Sequence, residues 1–216
     1  MPLSRLPKLG GKRNRIALGA KKATVFDVVM ENIMTRRSVR KFRKLDVGDD
    51  DLMSLFDAAR HAPSAGNRQA WEFIIVRDPK MKKTLSEAAE GSEWIANAPV
   101  IVVACVNNRI AGARYGERGT MLYGIQDVAC ALENFMLAAN AKGLGTCWVG
   151  AFSEPKVTVP LRCPDFVRPC AMIAVGWPDE APSAPLRHEA ADFLHLETYG
   201  NTVRKQFTWG HGQAQD

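Results

Sequence analysis

Apolar residues recur at helical spacing in several stretches of the chain. The longest, residues 123–145, places apolar side chains on a wide face and ends at Gly143, a typical C-terminal stop. Residues 49–62 open with acidic side chains suited to a helix N-terminus, continue with an amphipathic pattern and stop before Pro63. Residues 78–98 are also predicted to be helical, and a shorter helix is expected just before residue 36.

Shorter apolar runs lie between these helices and predict strands. They are bounded by proline or glycine and contain many β-branched residues, which is typical of strands in a covered sheet. The four runs are residues 71–77, 99–106, 146–152 and 170–177. Because helices and strands alternate along the chain, we expect a sheet sandwiched by helices. We assign residues 25–216 to one domain.

The basic charge of the chain is concentrated in residues 1–24. The formal net charge of the 216 residues is +6, yet seven lysines and arginines and no acidic residue precede Val25. The remainder is close to neutral, which favours a specific anionic ligand over general polyanion binding. The tail has no apolar run long enough for a signal peptide or a membrane span, so we expect a disordered arm.

Within this neutral body, residues 36–44 (RRSVRKFRK) form a local cluster of six positive side chains. Such a run is often only a solvated surface or a nucleic-acid patch. Here Arg36, Arg37, Ser38 and Arg40 combine planar guanidinium donors with a hydroxyl, which suits a terminal phosphate monoester. We therefore consider a discrete phosphate site as one of three alternatives for this segment.

Two further stretches carry groups that could contact a ligand. Residues 61–71 (HAPSAGNRQAW) place Ser64, Asn67 and Gln69 in a predicted loop, where amides could bind a heterocycle edge, although ordinary turn chemistry explains them as well. Residues 143–150 (GLGTCWVG) bracket a strand with glycines, which permit close backbone approach to a planar ligand. Their spacing is not that of a dinucleotide-binding GxGxxG turn.

The five cysteines and four histidines indicate no metal site or nucleophilic triad. The cysteine number is odd and no Cys-x-x-Cys pair occurs, so neither a disulfide framework nor a zinc site is expected. Cysteines in runs such as VVACV and DVACAL are predicted to pack in the core of a cytoplasmic protein. None is expected to have basic neighbours that lower a thiol pKa.

Taken together, these stretches resemble the FMN-dependent nitroreductase family. The resemblance covers about residues 25–200 and rests on RRSVRKF, APSAGNRQAW, NFMLAANAKGLGTCWVG and VGWP in this order, with Ala70 where proline is usual. It implies noncovalent FMN, a homodimer with two shared sites, and an α+β fold with a mixed β-sheet that is flanked by helices and extended by the partner's C-terminal segment.

The resemblance also assigns roles to individual residues. It implies that the phosphate and ribityl chain of FMN are bound by Arg36, Arg37, Ser38 and Arg40, that Pro63, Ser64, Asn67 and Gln69 approach the flavin from the partner subunit, and that Val149 and Gly150 lie along the ring. Arg187 is the candidate for a further cation at the phosphate. No catalytic acid or base and no metal ligand is assigned.

The implied activity is the transfer of hydride from NADH or NADPH to FMN and then to a small acceptor, nitroaromatic or quinone, by a ping-pong mechanism. Dehalogenation and dehydrogenation, which also occur in this family, remain alternatives, as does a basic-tailed protein that binds nucleic acid. Residues 107–122 contain Arg109, Arg114, Tyr115 and Arg118 and are expected to form either a substrate lid or a solvated loop.

Overall fold

A four-stranded antiparallel sheet organises the first part of the chain in the computed structural model, which describes residues 23–203. The strands are β1 (Trp71–Val76), β2 (Val100–Asn107), β3 (Gly145–Val149) and β4 (Val167–Gly176), in the spatial order β1-β2-β4-β3. All four predicted strands are present. The described residues form two compact units, 23–182 and 183–203, and the sheet belongs to the first.

Helices cover both faces of this sheet, as the alternating pattern predicts. They are α1 (Val25–Thr35), α2 (Asp49–Ala59), α3 (Pro79–Ala88), α4 (Asn108–Arg118), α5 (Gly124–Lys142) and α6 (Glu154–Leu161). Helices α2 and α5 contribute Leu55 and Phe135 to the core on one face, and α3 and α6 contribute Leu85 and Val157 on the other. Strand β2 is buried on both faces because its alternate side chains enter these two cores.

The pairing of the strands is antiparallel throughout the named sheet. The parallel pairing of a mixed sheet is limited, among residues 23–203, to an isolated bridge between Ser38 and Thr146. This bridge places the segment after α1 beside β3. Strand β1 pairs only with β2 in the described part of the chain, so its outer edge stays open.

The helix ends follow local chemistry. Thr24 and Asp27 form a capping box at the start of α1, since each side chain hydrogen-bonds the other residue's backbone N–H. Gly143 ends α5 in the left-handed conformation, with φ of 86°. Helix α3 is shorter than predicted: it stops at Ala88, Gly91 has φ of 65°, and a 3-10 turn covers Glu93–Asn97.

Of the two alternatives for residues 107–122, the solvated loop is wrong, because the segment is helical. The Asn107 side chain accepts from the backbone N–H groups of Arg109 and Ile110 and starts α4, which a π-helical turn over Gly119–Tyr123 connects to α5. The sequence pattern does not indicate this helix, because its arginines and glycines give it little amphipathic character. π-Helical turns are rare and frequently occur at functional sites.

The second unit is described over residues 183–203. It contains a 3-10 turn at Ala190–Asp192 and a bridge between His195 and Thr202. Most of the expected tail, residues 1–22, and the apolar Phe207 and Trp209 lie outside the described residues. In the part of the chain that is described, no helix has the length and hydropathy needed to cross a membrane.

Candidate functional site

The segment that follows α1, residues 36–40, is an extended strand-like piece attached to β3. The backbone N–H of Val39 donates to the Thr146 carbonyl at 2.9 Å. Val39 is buried, and its side chain occupies the space beside Gly145, where an added Cβ would come within 2.8 Å of it. Packing of this segment therefore explains Gly145, in place of the predicted close approach to a planar ligand. We call residues 36–40 the clamp segment.

A single carboxylate fixes the other side of the clamp segment. Glu180, which follows β4, accepts at Oε1 from the backbone N–H of Arg40 at 2.6 Å and of Lys41 at 3.1 Å. Thr146 and Glu180 together hold the extended backbone along the edge of the sheet, beside β3.

The three arginines of the clamp segment differ in their surroundings. Arg36 and Arg37 are half-buried, whereas Arg40 is exposed, with its guanidinium carbon 5.9 Å from the centre of the Trp94 ring. Nη1 of Arg37 donates to the carbonyls of Met34 at 2.6 Å and Arg36 at 2.8 Å. Arg37 therefore satisfies acceptors at the C-terminus of α1.

Cys147 in β3 interacts with the polar groups of the clamp segment. Burial raises the pKa of the Cys147 thiol, while Arg40, a hydrogen bond with Ser38, and Arg36 lower it. The prediction that no cysteine has basic neighbours is therefore wrong for Cys147. Burial outweighs these neighbours, so the thiol stays protonated. These interactions place Arg36, Ser38 and Arg40 in the neighbourhood of this one thiol.

Residues 63–69, which we call the polar loop, have an unusual backbone. Gly66, Asn67 and Gln69 have φ values of 57°, 55° and 51°, so two non-glycine residues are left-handed within four positions. This conformation is uncommon for residues with a Cβ and clusters at functional sites.

Internal hydrogen bonds shape the polar loop. The Gln69 N–H donates to Oγ of Ser64 at 3.0 Å, and Nε2 of Gln69 donates to Oδ1 of Asn67 at 3.2 Å. Pro63, Asn67 and Gln69 are exposed, and Ser64 is partly buried. The loop thus presents a preformed set of amide groups on the surface.

Two side chains from neighbouring helices support the polar loop. Oδ1 of Asp127, in the first turn of α5, accepts from the Ala65 N–H at 2.9 Å. Tyr115 of α4 lies against Gly66, where an added Cβ would come within 2.6 Å of the Tyr115 hydroxyl. The Tyr115 ring packs edge-on against Tyr123 at 5.3 Å.

The end of β3 supplies the remaining predicted contacts in the first unit. Val149 is buried and Gly150 is exposed, so the chain reaches the surface between them. Trp148 is 39% exposed beside Gly150. Arg187 is exposed and belongs to the second unit, and its contribution to the phosphate site stays a prediction.

The structure therefore forms two local groupings from the predicted residues. Arg36, Ser38 and Arg40 lie near Cys147 in β3, and the loop that carries Ser64, Asn67 and Gln69 contacts α5 through Ala65 and α4 through Gly66. Sequence reasoning missed Asp127 and Glu180. A signal for Asp127 was present, because it is an acid on the buried stripe that continues with Ala131 and Phe135.

Other chemistry is limited in the described residues. No group of three or more His, Cys, Asp or Glu side chains between residues 23 and 203 is arranged to hold a metal ion. All five cysteines are free; Cys105 and Cys147 are buried as predicted, but Cys130 is exposed because it lies on the outer face of α5. An apolar groove of about 400 Å³ lies apart from the clamp, lined by residues including Met53, Trp71 and Ile75.

Comparison with known proteins agrees with this fold and these motifs. Residues 33–177 match the Nitroreductase family. The chain belongs to the nitroreductase family. The FMN reductase (NAD(P)H) of Bacillus subtilis is 32% identical over 201 residues, covering 87% of this chain and 80% of that protein. The oxygen-insensitive NADPH nitroreductase of Salmonella typhimurium is 28% identical over 177 residues, covering 79% and 74%.

Solved structures of the nitroreductase family share the fold. A nitroreductase family protein from Clostridium novyi NT superimposes with a TM-score of 0.65 at 30% identity, covering 82% of this chain and 97% of that one. The matched family region contains the clamp segment, the polar loop and β3, so the groupings described above lie within it.

Proposed function

We propose that this protein is an FMN-dependent oxidoreductase that takes hydride from NADH or NADPH and reduces a small acceptor of the nitroaromatic or quinone type. Membership of the nitroreductase family and the names of the relatives support the reaction class. The observation that carries the cofactor is the clamp segment, which presents Arg36, Ser38 and Arg40 on a backbone held at Thr146 and Glu180.

The donor set of the clamp fits a phosphate monoester. Guanidinium groups and a hydroxyl are strong donors to phosphate oxygens, and the backbone that carries them is held at Thr146 and Glu180. Arg37 is a weaker candidate than its neighbours, because its Nη1 already donates to two carbonyls. The positive side chains would bind the terminal phosphate of FMN.

The polar loop and the end of β3 would orient the heterocycle. Asn67 and Gln69 offer amide donors and acceptors on an exposed, preformed turn, which suits the edge of a flavin. Val149 and Gly150 would lie along the ring. Bound FMN would supply the hydride chemistry, and the protein would contribute orientation and electrostatics. Nucleotide and acceptor would use one open site in turn, which gives ping-pong kinetics.

Helix α4 is the candidate region for selecting the acceptor. Tyr115 and the Nη1 atom of Arg114 both lie against Gly66 of the polar loop, and Arg118 donates to the Tyr123 hydroxyl at 2.8 Å. Cationic and aromatic groups beside the loop favour an anionic aromatic acceptor. This refines the expectation of a lid, since the segment is helical.

Dimer formation is part of the proposal. Six apolar residues of α1 are more than 40% exposed: Val25, Phe26, Val28, Val29, Ile33 and Met34. A helix with this much uncovered apolar surface is typical of an interface. The bond to Asp127 holds the loop on its own subunit, and the exposed Asn67 and Gln69 would be available to the partner's flavin.

The open sheet edge indicates where a partner segment would add. The clamp segment bridges to β3 at Ser38, whereas the outer edge of β1 is unpaired within residues 23–203. Unpaired edges are rarely left open in stable proteins. The apolar groove beside β1 and the exposed Phe193 and Tyr199 of the second unit fit an exchange of C-terminal segments. We place the partner's segment at β1.

Purification tests the cofactor directly. The protein should be yellow and release FMN on denaturation, and stopped-flow mixing with NADH or NADPH should bleach the flavin before a quinone or nitroaromatic restores it. Colourless protein that binds DNA with steep salt dependence would support the nucleic-acid alternative. Reduced flavin that is reoxidised only by a halogenated compound would support dehalogenation. Reduced flavin that is reoxidised only by the product of a dehydrogenation would support the dehydrogenation alternative.

Free thiols agree with a cytoplasmic location.

Truncation tests the exchanged segment. Deleting the residues after Ala190 should weaken the dimer and lower FMN occupancy together, because the edge of β1 would lose its cover. Sedimentation at micromolar concentration and flavin content would be measured on the same sample. A truncated dimer with a full complement of FMN would contradict the exchange.

A further inference from the structure

The polar loop has left-handed residues that carry a Cβ, and Gln69 in particular does not favour this conformation. Asn67 and Gln69 carry a Cβ and yet are left-handed, with φ of 55° and 51°. Such residues persist only when the surrounding structure fixes them. The hydrogen bonds among Ser64, Asn67 and Gln69 lie within the loop, so they tie it together without attaching it to the rest of the protein.

The attachment comes from a buried carboxylate. Asp127 is 6% exposed and lies on α5 among apolar positions such as Val128 and Ala131. Its Oδ1 accepts from the Ala65 N–H at 2.9 Å, across 62 residues of sequence. Ala65 directly precedes the first left-handed residue, Gly66.

A carboxylate at this buried position of α5 has a desolvation cost that packing alone does not explain. Burial raises the pKa of Asp127, and the hydrogen bond from Ala65 lowers it. An apolar side chain would fill the same stripe of α5 without that desolvation cost. The compensating feature is the bond to the loop backbone.

We propose that Asp127 is the positioning residue of the flavin site: its carboxylate fixes Ala65 and thereby the left-handed run that presents Asn67 and Gln69. This rests on the proposed function, because the benefit of a fixed loop is a site formed before FMN arrives. Tyr115 contacts Gly66 through its hydroxyl end and supports the loop by packing. Asp127 alone, among the described residues, hydrogen-bonds the loop from another element.

Three variants separate this role from general stability. Asp127→Ala removes the acceptor, whereas Asp127→Asn keeps an acceptor oxygen and serves as the conservative rescue. Asn134→Ala is the matched control, because Asn134 also lies in α5 and donates to the Ala58 carbonyl at 3.3 Å, away from the loop. FMN affinity is measured by fluorescence titration, and amide exchange over residues 62–72 is measured on protein stripped of flavin.

Asp127→Ala should speed exchange of the loop amides and weaken FMN binding, each by roughly tenfold, as expected for loss of a hydrogen bond to a charged group. Asp127→Asn should recover most of both, and Asn134→Ala should leave both at the wild-type level. Unchanged loop exchange in Asp127→Ala would overturn the proposal. Faster exchange with unchanged FMN affinity would overturn the link to the flavin site.

A variant at the other end of the bond guards against misfolding of Asp127→Ala. Ala65→Pro deletes the donor N–H, and Ser64 before it is already extended, with φ of −143° and ψ of 153°, as a residue before proline prefers. It should reproduce the loss in Asp127→Ala, and the double variant should add nothing further. Additive losses would overturn the proposal. If wild-type protein binds no FMN, the proposed function fails, while the exchange data still decide whether Asp127 fixes the loop.

Discussion

The clamp segment and the polar loop prepare for the same ligand in opposite ways. Residues 36–40 have an extended backbone, attached to β3 and Glu180, and their ligand chemistry is in the side chains. Residues 63–69 have three left-handed positions, and their chemistry depends on the shape of the backbone. Charge can therefore be recognised from the local sequence, whereas a strained turn requires support from distant parts of the chain.

Substitutions should therefore act differently in the two regions. Removing a clamp side chain should change FMN affinity and leave the fold intact, because the backbone bonds remain. Changing the backbone preferences of the polar loop should change its conformation first and FMN affinity as a consequence.

The largest effect is expected at the clamp. Arg40→Ala should weaken FMN binding by about 1.5 to 3 kcal/mol, through loss of a charge-assisted hydrogen bond to phosphate. Lys44→Ala, an exposed residue of the same basic run, is the control and should change affinity little. Fluorescence titration measures both. Equal losses of FMN affinity in the two variants would show that the clamp acts only through general electrostatic attraction.

The next effect is expected at the loop. Gly66→Ala should cost about 1 to 2 kcal/mol through its left-handed backbone, and the new methyl group would also press on Tyr115. Gly91→Ala is the matched control, since Gly91 has φ of 65° but open space around it. Urea unfolding should show a loss in both variants. Only Gly66→Ala should also lose FMN affinity, and an equal loss in Gly91→Ala would remove the special role of the loop.

A smaller effect is expected beneath the clamp. Cys147→Ala should leave the rate of flavin reduction within about twofold, because a buried, protonated thiol is not a nucleophile. Stopped-flow reduction with FMN bound measures this rate. A large drop in rate with the flavin still bound would give Cys147 a chemical role and blur the distinction between clamp and loop.

The smallest effect is expected far from both regions, at the ion pair of Glu154 and Arg168, where Nη2 and Oε1 are 2.8 Å apart. The hydrogen bond from Arg168 lowers the pKa of Glu154, so the pair stabilises the fold above the ordinary carboxyl pKa and loses this contribution as pH falls through the lowered value. The side chains are about 40% exposed, and solvent screening keeps the contribution below about 1 kcal/mol.

This pair provides a baseline for the other effects. Glu154→Gln should make the free energy of unfolding depend less on pH in the acid range where Glu154 becomes protonated. It should leave FMN affinity unchanged. A change in FMN affinity comparable to that of Arg40→Ala would show that the clamp variants report general charge effects.

Local pattern predicted much of the fold. Helix α5 and its end at Gly143 followed from apolar spacing and a glycine stop, and the four strands followed from short β-branched runs. Helix α4 was missed because its arginines and glycines give no apolar face, and Cys130 was misplaced because an apolar neighbourhood in sequence does not fix which face of a helix a side chain occupies.

The residue types that could bind a phosphate are evident from the chain alone, because Arg36, Ser38 and Arg40 are close in sequence and their chemistry is intrinsic. The contacts that hold the two regions arise only on folding: Val39 against Gly145 and Glu180 at the Arg40 backbone for the clamp, and Asp127 at Ala65 for the loop. These contacts join residues that are distant in sequence, and their free energies depend on burial and geometry that arise only when the helices pack on the sheet.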